Sequence, residues 1–134
     1  MLEKHFDKSF DYTLVELDEE VVYLANKYIL KNLKSKTTVI NTNALRYIEQ
    51  SQEKFDMICM DVFVDNIIPV EFRQTASLEH LSRLLKGQGI LLYNVLRTGF
   101  EKQTDELIQD LEKVFPHVWY DQIENNLIIY AIKG

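Results

Sequence analysis

The chain has 134 residues, 46% of them apolar, which is enough to build a buried core and too many for a disordered segment. Lys plus Arg is 15 and Asp plus Glu is 21, so the net charge is −6 with no basic run, which argues against a surface for nucleic-acid phosphates. No apolar run reaches the roughly 20 residues of a membrane span, Met1–Phe10 has no signal-peptide core, and the one cysteine, Cys59, suits a reducing compartment. The expectation is a single cytoplasmic domain over 1–134 without nucleic-acid or membrane partners. None of the 4 glycines precedes position 87, which excludes a Gly-rich phosphate loop from the earlier residues.

In chain order, Asp11–Leu17 is β-branched and aromatic and predicts a strand. Asp18 is placed to cap a helix that opens with Glu19 and Glu20 and carries Val21, Val22, Ala25, Tyr28 and Ile29 at helical spacing. Thr37–Asn41 predicts a second strand, and Asn43 a cap for a short helix with Ala44, Leu45 and Ile48. Phe55–Met60 is a nearly continuous apolar run, as in a strand covered on both faces, and it ends at Asp61. A loop through Asp65–Pro69 leads to a helix with Leu78, Leu81, Leu84 and Leu85 on one stripe. A turn at Lys86–Gly89 precedes a strand over Ile90–Val95. A helix over 101–115 and an antiparallel hairpin, His117–Ile123 with Leu127–Ile132, complete the pattern.

Alternation of this kind forces a mostly parallel sheet flanked by helices, and ligands then bind beyond the carboxyl ends of the strands. Those ends hold Glu16 and Asp18, Asn41 and Asn43, and Asp61 with Asp65 four residues on. An acidic residue after an early strand can accept both hydroxyls of a ribose, and the next strand end could read an adenine amino group. Asp61 would then lie over the reactive end of the ligand, where a carboxylate balances positive charge or takes a proton. Plain structural roles stand beside these: Asp18 and Asn43 as helix caps, and Asp61 as a loop cap. His5, His80 and His117 lack metal-ligand spacing, so no metal is expected. Cys59 reads as an inert buried thiol, and Trp119, Tyr120 and Tyr130 as core or a partner surface.

Four stretches, in order, resemble the spermidine synthases of the class I S-adenosylmethionine-dependent methyltransferase superfamily. Tyr12–Val21 is similar to that family's V-E-[IL]-D-x-x-V segment and Asn43–Ile48 to its D-[AG]-x-x-[FY]-[IL] stretch. Phe55–Asp61 is similar to its [FY]-D-x-I-x-x-D strand, and Ile68-Pro69 followed by Leu84–Leu91 falls in the expected place. The resemblance covers 12–132. It implies a Rossmann-like class I methyltransferase fold with a C-terminal antiparallel hairpin, and S-adenosylmethionine or decarboxylated S-adenosylmethionine as the nucleoside ligand. It implies Glu16, Asp18, Asn43, Ala44 and Asp61 as the residues that hold it. Asp61 is also implied as the catalytic group that binds and deprotonates the attacking amine of aminopropyl transfer, and Asp65 as a contact to the acceptor substrate.

The departures are equally specific. Asn43 stands where that family usually has Asp, and Asp61–Asn66 replaces its D-S-x-D-P loop, which leaves methyl and aminopropyl transfer both open. The family's first strand and Gly-rich loop are missing, and Met1–Phe6 reads as the tail of the helix that follows them. The chain is therefore read as N-terminally truncated, or else as a degenerate relative, and as inactive alone. With the missing strand gone from between Tyr12–Leu17 and Phe55–Asp61, those two should pair directly, or another chain should fill the gap, because a row of buried unpaired backbone groups is too costly. The alternative is a non-catalytic module that keeps the fold and acts through association, with a second copy left open as partner. A receiver-like signalling domain fits poorly, since Val95-Leu96-Arg97 offers no lysine and the hairpin has no place in it.

Overall fold

The computed structural model describes residues 8–134; the proposed helix tail at Met1–Phe6, with His5, lies outside the described residues. The chain divides into two compact units, Met1–Tyr47 and Ile48–Gly134.

The first unit is a βαβ segment. Strand β1 (Tyr12–Glu16) leads into helix α1 (Glu19–Tyr28), a 3-10 turn (Leu30–Asn32) and strand β2 (Thr37–Asn41), and helix α2 (Ala44–Gln50) begins at its end. β1 and β2 pair in parallel, Tyr12 opposite Thr37 through Glu16 opposite Asn41. Helix α1 starts where the sequence places its cap, with the Asp18 carboxylate accepting the Glu20 N–H at 2.8 Å. No described residue of this unit is buried. Val21, Leu24 and Tyr28 of α1 stay exposed, and Lys27 lies over the rings of Tyr23 and Tyr28 at 5.5 and 5.1 Å.

The second unit holds the core. Strand β3 (Phe55–Met60), a 3-10 turn (Val70–Phe72), helix α3 (Thr75–Leu84), strand β4 (Leu85–Leu96), helix α4 (Glu101–Val114), strand β5 (His117–Ile123) and strand β6 (Asn126–Ile132) follow in order. The sheet runs β3-β4-β6-β5, with β3 and β4 parallel and the other pairs antiparallel. One face is sealed: Leu91, Tyr93, Val95, Leu127, Ile129 and Ala131 are buried, as are Leu78, Leu81 and Leu84 of α3 and Leu107 and Leu111 of α4. The buried Tyr93 hydroxyl donates to the Phe72 carbonyl at 2.8 Å and ties the loop after β3 to the sheet. Arg83 donates to the carbonyls of Ile48, Glu49 and Ser51 at 3.0, 3.3 and 2.8 Å, which satisfies acceptors at the C-terminal end of α2.

Four expectations are corrected. First, Lys86–Gly89 is no separate turn: β4 begins at Leu85, which the helical stripe had claimed for α3, and bulges. Phe55 faces Leu85 and Met57 faces Ile90, so two steps of β3 oppose five of β4. Gln88 takes the positive φ of 63° that this requires, and a Cβ on Gly89 would come within 2.9 Å of the Lys86 carbonyl.

Second, β3 is not covered on both faces. Met57 and Cys59, with Ile90, Leu92, Ile128 and Tyr130, share the face opposite α3 and α4; there Met57 is 47% exposed and Cys59 exposed, and the other four are half-buried. Third, Cys59 is an exposed residue instead of a buried one, with its thiol only partly desolvated. An apolar run alone cannot tell a strand with two covered faces from one with a single covered face. Fourth, of the two outcomes expected for these strand edges, direct pairing of Tyr12–Leu17 with Phe55–Asp61 is not the one adopted, since β1-β2 and β3-β4-β6-β5 are separate sheets. No residue of β1 is buried, and Met60 alone is buried in β3.

Candidate functional site

Polar side chains gather at the carboxyl ends of the parallel strands in both units. In the first, Glu16 ends β1, and its Oε1 accepts the Asp18 N–H at 3.0 Å. Asn41, at the end of β2, donates through Nδ2 to the carbonyls of Glu16 and Leu17 at 2.9 and 3.1 Å, so the turn between β1 and α1 is held from the neighbouring strand. The Glu16 carboxylate uses one acceptor site on its own loop. A carboxylate has about four such sites, which leaves capacity for two hydroxyl donors.

Asn43 caps α2, its Oδ1 accepting from Leu45 and Arg46 N–H at 2.8 and 3.4 Å. That oxygen is engaged by the helix, and Nδ2 is the group turned over to other partners. Ala44 is the first residue of α2. Asp18 is likewise a cap, as its bonds to Glu20 and Val21 show.

In the second unit, Asp61 follows β3 immediately and is exposed. It sits one step past the register pair Met60 opposite Tyr93, which brings it beside Asn94 of β4, whose Nδ2 donates to Asp61 Oδ1 at 3.4 Å. Asp61 also acts on Cys59, two residues earlier on the same face: desolvation and then the Asp61 charge push the thiol pKa above its ordinary value. Asp65 belongs to a tight turn. Asp65 and Asn66 have φ of 49° and 67°, and Val64 and Ile67 exchange both backbone hydrogen bonds at 2.9 and 3.0 Å. Asp and Asn tolerate that left-handed backbone, so turn chemistry accounts for Asp65 without a ligand.

Asn94 is a polar neighbour of Asp61 that the sequence reading passed over. Its signal was one amide near the end of the apolar run Ile90–Val95. A crevice in the second unit, lined by Phe63, Ile68, Phe100, Gln103 and Thr104, holds about 20 Å³, too little for a nucleoside. Among the described residues, no three His, Cys, Asp or Glu side chains converge as a metal site, and no helix is long and apolar enough to cross a membrane.

The family model of the spermine/spermidine synthase domain matches residues 4–127. The chain belongs to this family. No curated protein matches it. Among solved structures, human methyltransferase-like protein 13 in complex with SAH is 22% identical at a TM-score of 0.82, over 99% of this chain and 65% of that one. A probable spermidine synthase from Corynebacterium glutamicum is 25% identical at 0.74, over 90% of this chain and 46% of that one. A spermidine synthase in complex with the transition state analogue AdoDATO is 20% identical at 0.70, over 91% and 46%. The fold of this family member is thus the Rossmann-like class I methyltransferase fold, with antiparallel strands at its C-terminal end and flanking helices. The chain spans less than two thirds of the length of these neighbours.

Proposed function

We propose that the chain is the nucleoside-binding part of an S-adenosylmethionine-type transferase that moves a methyl or an aminopropyl group. The observation that carries the reading is Glu16, a carboxylate at the carboxyl end of a parallel strand, braced by Asp18 and Asn41 and still able to accept hydroxyls. Neighbours solved with SAH and with AdoDATO support a ligand of this class.

In this reading Glu16 accepts the ribose hydroxyls. Asn43, with its oxygen spent on the cap, donates through Nδ2 to an acceptor on the adenine ring, while Asp18 and Ala44 frame the loop and helix start on either side. The nucleoside supplies an electrophilic carbon on a sulfonium. Asp61 balances positive charge at the reacting end and, where an amine attacks, accepts the proton that nitrogen loses as its lone pair enters the new bond to carbon, while the carbon–sulfur bond breaks and a neutral thioether leaves with that electron pair. In the same reading Asp65, at the tip of the following turn, contacts the acceptor. The Glu16 and Asp61 carboxylates fit hydroxyl and ammonium partners, and the Asn43 amide fits a ring acceptor.

The test is an NMR titration of the 134-residue chain with S-adenosylmethionine, decarboxylated S-adenosylmethionine and methylthioadenosine. Weak binding that moves the amides of 16–18 and 43–45 is expected, with no transferase turnover, since no glycine precedes position 87 to form a loop against the ligand. Glu16→Gln should weaken it by about 1–3 kcal/mol, the loss of a charge-assisted hydrogen bond. No response to any of the three ligands would sink the reading, and micromolar binding would overturn its weak-binding half.

The second reading, a non-catalytic module acting through association, draws support from the terminal hairpin. Trp119, stacked on Tyr130 at 5.2 Å, is 42% exposed, and Tyr120 and Ile123 on the same edge strand are 50% and 59% exposed. A strictly monomeric chain in light scattering that also binds the nucleosides would remove it.

A further inference from the structure

We propose that Asn94 is the positioning residue for Asp61, holding its carboxylate toward a cationic nitrogen at the reacting end of the ligand; the ligand half of this statement rests on the function proposed above. Three observations converge. The first is register. β3 and β4 are parallel, Met60 faces Tyr93, and the next step on each strand places Asp61 and Asn94 side by side at the carboxyl ends, on the open face of the sheet. The second is the hydrogen bond, Asn94 Nδ2 to Asp61 Oδ1 at 3.4 Å, long but directed.

The third observation is the amide's other end. Asn94 Oδ1 is buried and, among the described residues, has no hydrogen-bond partner. Ile128 faces Asn94 across the strand, and Ile90 and Leu92 precede it on the same face, so nothing apolar in this surface calls for an amide. An ionised carboxylate only accepts, so the amide must turn its NH2 toward Asp61, and that rotation aims the oxygen into apolar surroundings. A buried acceptor left unmatched is a net cost to the fold. A side chain that loses stability in order to point a donor at one exposed carboxylate is explained by what that carboxylate does. With one oxygen held by Asn94, the other Asp61 oxygen has a set direction in which to meet an ammonium or an amine N–H.

The experiment has one arm that needs no ligand and one that does. In a 1H–15N spectrum of the full chain, Asp61→Asn should displace the Asn94 side-chain NH2 signals more than any other side-chain amide. Asn94→Leu should melt at the same temperature as the parent or higher, because it removes the orphaned oxygen. Unmoved NH2 signals, or an Asn94→Leu chain that melts well below the parent, would overturn the proposal and make Asn94 a structural residue. In the ligand arm, Asn94→Leu should weaken decarboxylated S-adenosylmethionine by about tenfold, the loss of one hydrogen bond to a charged group, while methylthioadenosine, which lacks the cationic end, changes less than about twofold. Equal losses for both nucleosides, or none, would overturn it. If the parent binds neither nucleoside, the functional reading fails, and the positioning of Asp61 is then decided by the spectrum and the melting temperature alone.

Discussion

The two units are built from the same kind of element and differ in what they bury. Residues 8–47 form two parallel strands and a helix without one buried side chain, whereas 48–134 hold every buried apolar residue of the described chain, from Ile48 to Ala131. The difference follows from strand number and covering. A two-stranded sheet cannot hide its own edges and has too little surface to seal a face, while four strands under two amphipathic helices close one face fully. Glu16 and Asn43 therefore rest on the less consolidated unit, and Asp61 on the consolidated one.

The largest expected effect tests that contrast directly. Leu91→Ala, in the fully buried centre of β4, should cost about 2–5 kcal/mol in urea unfolding, as large-to-small core changes do. Leu14→Ala in β1 should cost less than about 1 kcal/mol, because its side chain already meets water. Equal losses would break the comparison and show that the first unit folds as part of one cooperative core. Next in size, Arg83→Ala strips three carbonyls at the end of α2 of a charged donor and should cost about 2–3 kcal/mol. An unchanged midpoint would mean that water replaces the guanidinium there.

A smaller effect concerns the open face. Desolvation and the Asp61 charge both disfavour the Cys59 thiolate, so Asp61→Asn should lower the thiol pKa and speed its reaction with a disulfide reagent at neutral pH. An unchanged or slower rate would mean that the carboxylate does not face the sulfur. The smallest effect lies at the start of α4, where the Glu101 carboxylate accepts the Gly99 N–H at 3.1 Å and its own N–H, which lowers its pKa. A lowered folded pKa adds stability above the ordinary carboxyl range that is lost as pH falls through the folded value. Glu101→Gln should therefore be slightly less stable than the parent at neutral pH and converge with it in acid. A gap that persists at low pH would assign the loss to packing instead of charge.

Much of the architecture was legible in the residues themselves. Asp18 and Asn43 announced their helices, since a cap is a local bond between a side chain and N–H groups two or three residues on. The strand cores at Thr37–Asn41 and Phe55–Met60 and the closing hairpin followed from runs of β-branched and apolar residues bounded by turn formers. The strand-end placement of Glu16 and Asp61 followed from the same alternation. Less could be read where the answer depends on a distant partner. The bulge at Lys86–Gly89 is set by where β3 pairs.

What the residues alone determined is the order and kind of the elements, the family's strand-end motifs and the helix caps, all of which rest on interactions between near neighbours in sequence. What the tertiary structure decided is which faces are sealed and which side chains meet. Met57 and Cys59 read as core and lie on an open face, because burial belongs to whatever packs against a strand and not to the strand's own composition. Asn94 reads as one polar interruption in an apolar strand. Only the parallel register of β3 and β4, which joins residues 33 apart, turns it into the partner of Asp61.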